Sequence, residues 1–403
     1  MISPEDSRPL YWTDEQIDLA FAGQVGAAAE SLKSCIQCGS CTASCPTANR
    51  MAISPQRLGR LTLLGMKDEV LRCGSIWQCT SCAACSLHCP RGIRVHDIIV
   101  SLKRLVHREG LSPPEEVRIL CQAVREFRNI SGEPNDDRLR WSSNLPQQLN
   151  SLDAAPGADV LYFVGCIASF YPRAYSVAQS LGRVLDLAGI RFTTLGADEW
   201  CCGYPLYNAG MEDEIGELIG HNLSRLVALG PRTLVTTCAS CFYTWSRIYP
   251  RFASLPSGLR VVHASQLLAE LLASGRLRPG RLERTVTYHD PCDLGRKGGE
   301  FEAPREVLTG IPGLELREMA NTGANALCCG GGGDVKLLDL DTTLEVATRR
   351  VDQAMDVGAD TIASGCQQCK RALVSAVQWK RRPTRVADVV ELVWESLAEE
   401  VHW

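Results

Sequence analysis

The sequence lacks the features that mark membrane, secreted and nucleic-acid-binding proteins. No stretch approaches the roughly 18 apolar residues that a membrane-spanning helix needs, and the longest apolar runs, such as residues 160–164, have the length of a strand. The first residues contain neither the basic nor the apolar segment of a secretory signal. The net charge of −4 gives no electrostatic support for binding to nucleic acid. We therefore expect a cytoplasmic protein with no membrane span of its own.

Fingerprints for flavin or nicotinamide binding are absent as well, whereas cysteine is abundant, with 20 residues. In a reducing compartment, clustered cysteines serve as metal ligands or redox groups rather than as disulfides. Two patterns, each written twice, include all of them except Cys73 and Cys121. We interpret these two as small buried hydrophobic residues.

The first pattern is C-x2-C-x2-C-x3-C-P, the run of bacterial ferredoxins. One copy consists of Cys35, Cys38, Cys41 and Cys45 with Pro46, and the other of Cys79, Cys82, Cys85 and Cys89 with Pro90. In this run three closely spaced cysteines hold one cubane [4Fe–4S] cluster, and the fourth reaches across to the other cluster. The pattern therefore predicts two clusters with crossed ligands. The expected sets are Cys35, Cys38, Cys41 and Cys89 for one cluster, and Cys79, Cys82, Cys85 and Cys45 for the other.

The second pattern has five cysteines per copy, including an adjacent pair followed by glycine and a C-x2-C pair. The copies are Cys166, Cys201, Cys202, Cys238 and Cys241, and Cys292, Cys328, Cys329, Cys366 and Cys369. Equivalent positions lie 126 to 128 residues apart, which indicates a duplicated domain. Zinc sites close with four ligands, so a five-cysteine set with an adjacent pair favours iron–sulfur ligation over zinc.

Alternation of strand-length and helix-length segments predicts the fold. We expect an α+β or α/β protein, in which a helical two-cluster ferredoxin-like domain precedes two repeated α/β domains with short parallel sheets. The predicted units are an N-terminal extension over 1–30, the ferredoxin-like domain over 31–110, a linker over 111–156, and the repeats over 157–280 and 281–403. Because ligands gather at the carboxyl ends of parallel strands, each set of five cysteines is expected to converge at one end of one sheet.

Three glycines and one histidine lie beside these cysteines. The amides of Gly203, Gly330 and Gly331 are expected to approach cluster sulfides, since glycine permits close contact between the main chain and an anion. The run 330–333 lacks the Lys-Ser/Thr ending of a phosphate-binding loop. His289 lies shortly before the first cysteine of the second repeat, where it either donates a hydrogen bond or proton at the site or caps a turn.

With these motifs the chain resembles the heterodisulfide reductase family. Residues 31–110, with Ile76-Trp77-Gln78-Cys79-Thr80-Ser81-Cys82 and the ending Cys89-Pro90-Arg91-Gly92-Ile93, resemble its small C-type component. Residues 158–403 resemble its catalytic B-type component, a pair of CCG domains. The resemblance implies that each complete set of five cysteines holds a non-cubane [4Fe–4S] cluster and that the two clusters together cleave a disulfide. The candidate catalytic residues are Cys202, Cys329 and His289.

The resemblance also implies partners, namely a flavin-containing A-subunit-like protein and further redox subunits, besides a disulfide substrate. Two other functions fit the same motifs. In one, the chain is a non-catalytic electron relay in a flavin-bifurcating complex such as class II benzoyl-CoA reductase. In the other, it is the iron–sulfur subunit of a glycerol-3-phosphate or lactate dehydrogenase that feeds quinone. An assay of disulfide reduction by the purified protein would distinguish disulfide cleavage from these two other functions.

Overall fold

The computed structural model describes residues 17–145 and 157–398, and short helices surround the two ferredoxin-type runs of its N-terminal part. The α-helices of this part are α1 (Phe21–Gln24), α2 (Ala27–Glu30), α3 (Ser40–Ala43), α4 (Pro55–Leu63), α5 (Lys67–Arg72), α6 (Ala84–Leu87), α7 (Val95–Arg108) and α8 (Glu115–Phe127). Helix α4 begins at Ser54, whose hydroxyl accepts a hydrogen bond from the amide of Arg57. Helix α7 buries Ile98, Leu102 and Leu105, which recur at helical spacing on one face.

The segment predicted as a linker is packed over most of its described part. Helix α8 buries Val117, Cys121 and Val124 completely, so Cys121 is the buried hydrophobic residue that its sequence context indicated. A 3-10 helix follows over Asn135–Ser142 and buries Trp141. The prediction of a linker is therefore wrong for residues 115–142. This packing could not be predicted from the polar, Pro- and Gly-containing sequence, because the buried positions of the segment are few and widely spaced.

Each repeat contains a short parallel sheet, as predicted, and each sheet has four strands. The strands of the first are β1 (Val160–Tyr162), β2 (Phe192–Thr193), β3 (Thr233–Thr236) and β4 (Arg260–His263), in the order β2-β1-β3-β4. Those of the second are β5 (Arg284–His289), β6 (Leu314–Leu316), β7 (Thr361–Ser364) and β8 (Arg385–Asp388), in the equivalent order β6-β5-β7-β8. Strands β1, β3 and β7 are buried along their whole length, as is typical of parallel strands covered on both faces.

Helices cover these sheets. The first repeat has α9 (Cys166–Phe170), α10 (Tyr175–Leu187), α11 (Tyr204–Asn208), α12 (Ile215–Leu229), α13 (Ala239–Tyr243) and α14 (Ala264–Ala273). The second has α15 (Ala303–Thr309), α16 (Val335–Leu338), α17 (Leu340–Asp356), α18 (Gln367–Trp379) and α19 (Val389–Ala398). Within the described ranges, none of the helices combines the length and the apolar character needed to cross a bilayer.

The hydrophobic core is continuous between units, so that the first repeat shares buried residues with the N-terminal helices and with the second repeat. Leu161 of β1 lies in a core that continues into the N-terminal helices, where it includes Phe21 and Leu102. Its neighbour Tyr162 points to the opposite face of the sheet and lies in a core shared with the second repeat, including Tyr288. Because successive side chains of a strand point to opposite faces, β1 contributes to both contacts.

The glycine run of the second repeat packs directly on the N-terminal part. A Cβ atom on Gly333 would overlap the carbonyl oxygen of Cys79, and one on Gly332 would lie 2.6 Å from that of Thr80. Gly333 also has a left-handed φ of +65°. The two main chains are therefore in contact without an intervening side chain.

We expect Gly333→Ala to destabilise the protein more than Gly230→Ala. Both glycines have φ near +65°, so both substitutions carry a backbone penalty of about 1–2 kcal/mol. A Cβ at Gly230 meets nothing within 4 Å, whereas a Cβ at Gly333 must separate two packed chains. Anaerobic urea unfolding of the two variants measures the difference. Equal loss of unfolding free energy would show that the contact at Cys79 adds nothing.

Candidate iron–sulfur centres

The first ferredoxin-type set lines one cavity. Its four cysteines are Cys35, Cys38, Cys41 and Cys89, and hydrophobic residues such as Leu102 of α7 complete the lining. Cys38 is exposed and the other three are partly buried. The structure thus brings together the three cysteines of the first run with the last cysteine of the second, as the crossed ligation requires.

The complementary set is more deeply buried. Burial raises the pKa of Cys45 to about 12, and the nearby sulfurs of Cys79 and Cys82 act in the same direction. The pKa of Cys85 is likewise raised by burial and then by the same two neighbours. Cys45 of the first run therefore lies among the three closely spaced cysteines of the second. Buried thiols that oppose one another's ionisation are stable as thiolates only beside a cation.

The two runs share an unusual main-chain shape. Gln37 and Gly39 have positive φ values of 56° and 80°, and the equivalent residues Ser81 and Ala83 have values of 57° and 59°. Non-glycine residues in this region are uncommon and cluster at functional sites. In the second run, the result is that the amide of Ser81 donates to Cys79 Sγ at 3.4 Å.

The five cysteines of the first repeat converge at the carboxyl ends of β1 and β3. Cys166 opens α9 four residues after β1, and Cys238 follows β3 at the start of α13. Their thiols form a connected group, in which Cys201 contacts both Cys166 and Cys202, while Cys241 contacts both Cys202 and Cys238. Hydrogen bonding from Cys201 lowers the pKa of Cys166 to about 7, and the Arg138 guanidinium acts in the same direction.

The second repeat places its cysteines equivalently, after β5 and β7. Cys329 Sγ and Cys369 Sγ lie within hydrogen-bond distance at 3.2 Å, Cys369 contacts Cys366, and Cys329 contacts Cys328. Cys292 lies near Cys328. Hydrogen bonding from Cys328 lowers the pKa of Cys329 well below its ordinary value.

Main-chain amides stabilise the adjacent pairs. In the second repeat, Gly330 N donates to Cys328 Sγ at 3.2 Å and Gly331 N donates to Cys329 Sγ at 3.5 Å. In the first repeat, the amide of Tyr204 stabilises the Cys202 thiolate. A Cβ on Gly203 would meet the side chains of Ile215 at 3.4 Å and Leu218 at 3.6 Å. Its left-handed φ of +89° turns the chain so that the following residue donates the hydrogen bond.

The sets of cysteines also contact one another. Cys238 of the first repeat contacts Cys366 of the second. Cys328 contacts Cys82 of the ferredoxin-type run, and Cys328 Sγ also donates to Thr80 Oγ1 at 3.6 Å. A series of thiol contacts therefore extends from Cys82 through both repeats to Cys166. The sequence patterns predicted convergence within each copy but held no signal for these junctions, which depend on how the domains pack.

Comparisons with known proteins agree with this organisation. A model described as "4Fe-4S dicluster domain" matches residues 31–93, and one described as "Cysteine-rich domain" matches residues 160–245 and 286–374. The D component of the dihydromethanophenazine:CoB--CoM heterodisulfide reductase of Methanosarcina acetivorans is 33% identical over 396 residues, covering 92% of this chain and 95% of that protein. The chain belongs to the heterodisulfide reductase family. It combines, in one polypeptide, the ferredoxin-like unit and the pair of CCG domains that the motifs indicated.

More distant relatives in this family carry other names. The B component of the fumarate reductase (CoM/CoB) of Methanothermobacter marburgensis is 28% identical and covers 90% of this chain and 72% of its own length. The EtfAB:quinone oxidoreductase of Syntrophomonas wolfei is also 28% identical, over 82% of this chain and 47% of its own length. The family is therefore one of iron–sulfur oxidoreductases, and membership alone does not name the substrate.

His289 lies at the cysteine set of the second repeat. Its ring lies within 4.8 Å of the sulfurs of Cys329 and Cys369, and its Nδ1 accepts a hydrogen bond from Arg350 Nε at 3.2 Å. Burial lowers the pKa of His289 to about 3, and the charge of Arg350 acts in the same direction. The imidazole is therefore neutral near pH 7, and because Nδ1 accepts, its hydrogen lies on Nε2.

Sequence reasoning missed a buried ion pair beside the first repeat's cysteines. Arg138 and Glu199 are each 2% exposed at the side chain, and Arg138 Nη1 donates to Glu199 Oε1 at 2.7 Å. Arg138 Nη2 donates to Cys166 Sγ at 3.3 Å, and Glu199 accepts from the amides of Val164 and Gly165. The pair thus fixes the turn that presents Cys166. No sequence signal pointed to Arg138, because its segment was interpreted as a linker.

We expect Arg138→Gln to lower the free energy of unfolding by about 3–5 kcal/mol, because it leaves the Glu199 carboxylate buried without its partner. Adding Glu199→Gln removes that charge, so the double variant should be more stable than Arg138→Gln alone. Urea unfolding under anaerobic conditions measures both.

Arg191→Gln is a matched control, since Arg191 pairs with Asp159 on the surface, with 73% and 54% of the side chains exposed. Its cost should stay within about 1 kcal/mol. A cost for Arg138→Gln no larger than that of the control would contradict the structural importance of the buried pair.

Proposed function

We propose that this chain is the iron–sulfur electron-transfer and catalytic subunit of a heterodisulfide-reductase-like complex. In this function two cubane and two non-cubane [4Fe–4S] clusters supply one-electron transfer, ending in the reduction of a disulfide. The observation that supports it best is the unbroken series of thiol contacts from Cys82 to Cys166, which brings the cysteine sets of all three units side by side.

We propose the following ligands. One cubane is held by Cys35, Cys38, Cys41 and Cys89, the other by Cys45, Cys79, Cys82 and Cys85, and the non-cubane clusters by Cys166, Cys201, Cys202, Cys238 and Cys241 and by Cys292, Cys328, Cys329, Cys366 and Cys369. These donor sets fit iron–sulfur clusters, because they consist of thiols that suit soft metal centres. The amides of Gly330, Gly331 and Tyr204, which stabilise sulfur, support the same assignment.

The chain's own side chains hold the site in place and set its charge. Arg138 supplies a buried positive charge at Cys166, and Glu199 fixes the turn that precedes this cysteine. Neutral His289 offers Nε2–H as a hydrogen-bond donor in the second repeat. Reduction of one disulfide breaks its S–S bond, takes two electrons from the donor and two protons from solvent, and releases two thiols.

Electrons must come from elsewhere, since the sequence has no flavin or nicotinamide fingerprint. We propose a flavin-containing A-subunit-like partner and further redox subunits as their source, in the cytoplasm. Cys38 is exposed, and its set lies outside the series of thiol contacts that begins at Cys82, so the first ferredoxin-type set is the natural side of entry for electrons.

A relay function is the alternative. It is favoured by the relative named as an EtfAB:quinone oxidoreductase, because that name describes electron transfer without a disulfide. The chain would then pass electrons between partners, as in a class II benzoyl-CoA reductase complex or a dehydrogenase that feeds quinone. The paired CCG domains would have no substrate of their own.

We expect Cys202→Ser to reduce dye-driven disulfide reduction by about 100-fold or more, since loss of a ligand should exceed the effect of losing a residue that only orients a ligand. Cys73→Ser is the matched control, because Cys73 lies outside both patterns and its sulfur donates to the carbonyl of Val70. The protein is purified anaerobically, and iron content and turnover with a reduced viologen are measured for each variant.

The same assay separates the two functions. Undiminished turnover of Cys202→Ser, with Cys73→Ser also active, would remove the first CCG domain from catalysis. A wild-type protein with full iron content that reduces no disulfide, but is reoxidised by a co-purified flavoprotein, would make the chain a relay.

A further inference from the structure

The side chain of Arg296 lies between the second ferredoxin-type run and the second CCG domain. It follows Cys292 by four residues, and its guanidinium donates hydrogen bonds to three main-chain carbonyls. Nη1 donates to the carbonyl of Cys82 at 2.7 Å, Nε donates to that of Ala324 at 2.8 Å, and Nη2 donates to that of Ala326. One side chain therefore connects the ferredoxin-type run with two loops of the second CCG domain.

The same guanidinium lies close to sulfur. Its charge interacts with the thiols of Cys82, Cys292 and Cys328, and it also contacts the Cys82 side chain by a hydrogen bond. Cys82 belongs to the second ferredoxin-type set, whereas Cys292 and Cys328 belong to the second CCG set. Arg296 thus supplies positive charge to two neighbouring sulfur centres at once.

The positive charge of Arg296 has no carboxylate partner in the part of the chain that the structure describes, because its hydrogen bonds go to carbonyls and sulfur. Two other cations near the CCG cysteines are neutralised by carboxylates. Arg138 pairs with Glu199, and Lys297 pairs with Asp293. Arg296 therefore contributes a full positive charge at the contact between the two units.

A cation in this place favours reduction of both centres. Each electron that an iron–sulfur centre accepts adds one negative charge, and the potential of the centre rises with the positive charge around it. Because the thiols of Cys82 and Cys328 are in contact, negative charge on one centre opposes the addition of negative charge to the other. Cleavage of one disulfide consumes two electrons, so a site that must hold both benefits from a cation between its centres.

We propose that Arg296 is a charge-compensating residue, which allows the centre of Cys82 and the centre of Cys328 to be reduced at the same time. The inference rests on the proposed function, because it requires the cluster ligands assigned there. It adds a residue that controls how electrons are shared between the ferredoxin-like unit and the second CCG domain. Arg296 acts through the cysteines, so it is a positioning residue and not a catalytic one.

A redox titration of the anaerobic, cluster-loaded protein tests this role without a disulfide. The electrons taken up per chain are counted by coulometry with a viologen mediator, while EPR and visible absorbance follow the centres. We expect Arg296→Gln to move two one-electron steps to lower potential. In each step, the ratio of reduced to oxidised centre at a fixed potential should fall about tenfold, which corresponds to about 59 mV for one electron.

Two further variants separate charge from structure. Arg296→Lys keeps the charge, but its single nitrogen cannot reach three separate carbonyls. We expect Arg296→Lys to unfold at lower urea concentration than the wild type and to retain both potentials. Arg317→Gln removes a surface charge that pairs with Glu315, and it should leave every step unchanged.

The conservative variant keeps the inference testable even if Arg296→Gln does not fold. Potentials that fall in Arg296→Lys by as much as is expected for Arg296→Gln would show that the hydrogen bonds matter and the charge does not, which would overturn the inference. Unchanged potentials in an iron-loaded Arg296→Gln protein would overturn it as well.

The proposed function fails in a different experiment. If Arg296→Gln shows the two shifted steps but the wild-type protein reduces no disulfide, the role of Arg296 is supported and disulfide reduction is overturned. If the wild-type protein reduces a disulfide and Arg296→Gln shows no shift, the proposed function is supported and the role of Arg296 is overturned.

Discussion

Crowding of buried sulfur is the constraint on which the rest of this structure depends. Burial, together with the nearby sulfurs of Cys79 and Cys82, raises the pKa of Cys45 to about 12, whereas hydrogen bonds from neighbouring thiols lower the pKa values of Cys202 and Cys329 well below their ordinary values. Such a group of buried thiols is stable in its ionised form only when a metal centre compensates the negative charge of the thiolates. Metal binding and folding should therefore be coupled in this protein, and the hydrophobic core that joins the three units is built around the sulfur centres.

The sequence predicted the parts of this arrangement that repeat along the chain. The five-cysteine register and the strands that precede Cys166, Cys238 and Cys366 follow from local pattern, because a parallel strand places its carboxyl end at a fixed edge. Strands β4, β6 and β8 were not identified, since three or four residues carry too little periodicity. The role of Arg138 and the contact of Cys82 with Cys328 depend on tertiary packing between distant segments, which no local pattern records.

The residues that we propose as metal ligands occupy equivalent places in the two repeats. Cysteine sets and amide donors lie at the carboxyl edges of the sheets. Relatives named for a heterodisulfide, for fumarate and for quinone are similar over most of this chain. One scaffold can therefore serve different substrates, because function depends on the side chains around a site and not on the fold alone.

The contact between the glycine run and Cys79–Thr80 has a consequence for how this protein tolerates change. Main chain meets main chain there, and the same run supplies the amides that reach Cys328 and Cys329. At this contact, the distance between the ferredoxin-like unit and the second CCG domain is thus set by van der Waals contact between two main chains and not by any side chain. Substitutions elsewhere can accumulate without altering that distance, so the separation of Cys79 from the second CCG domain is preserved through most changes in sequence.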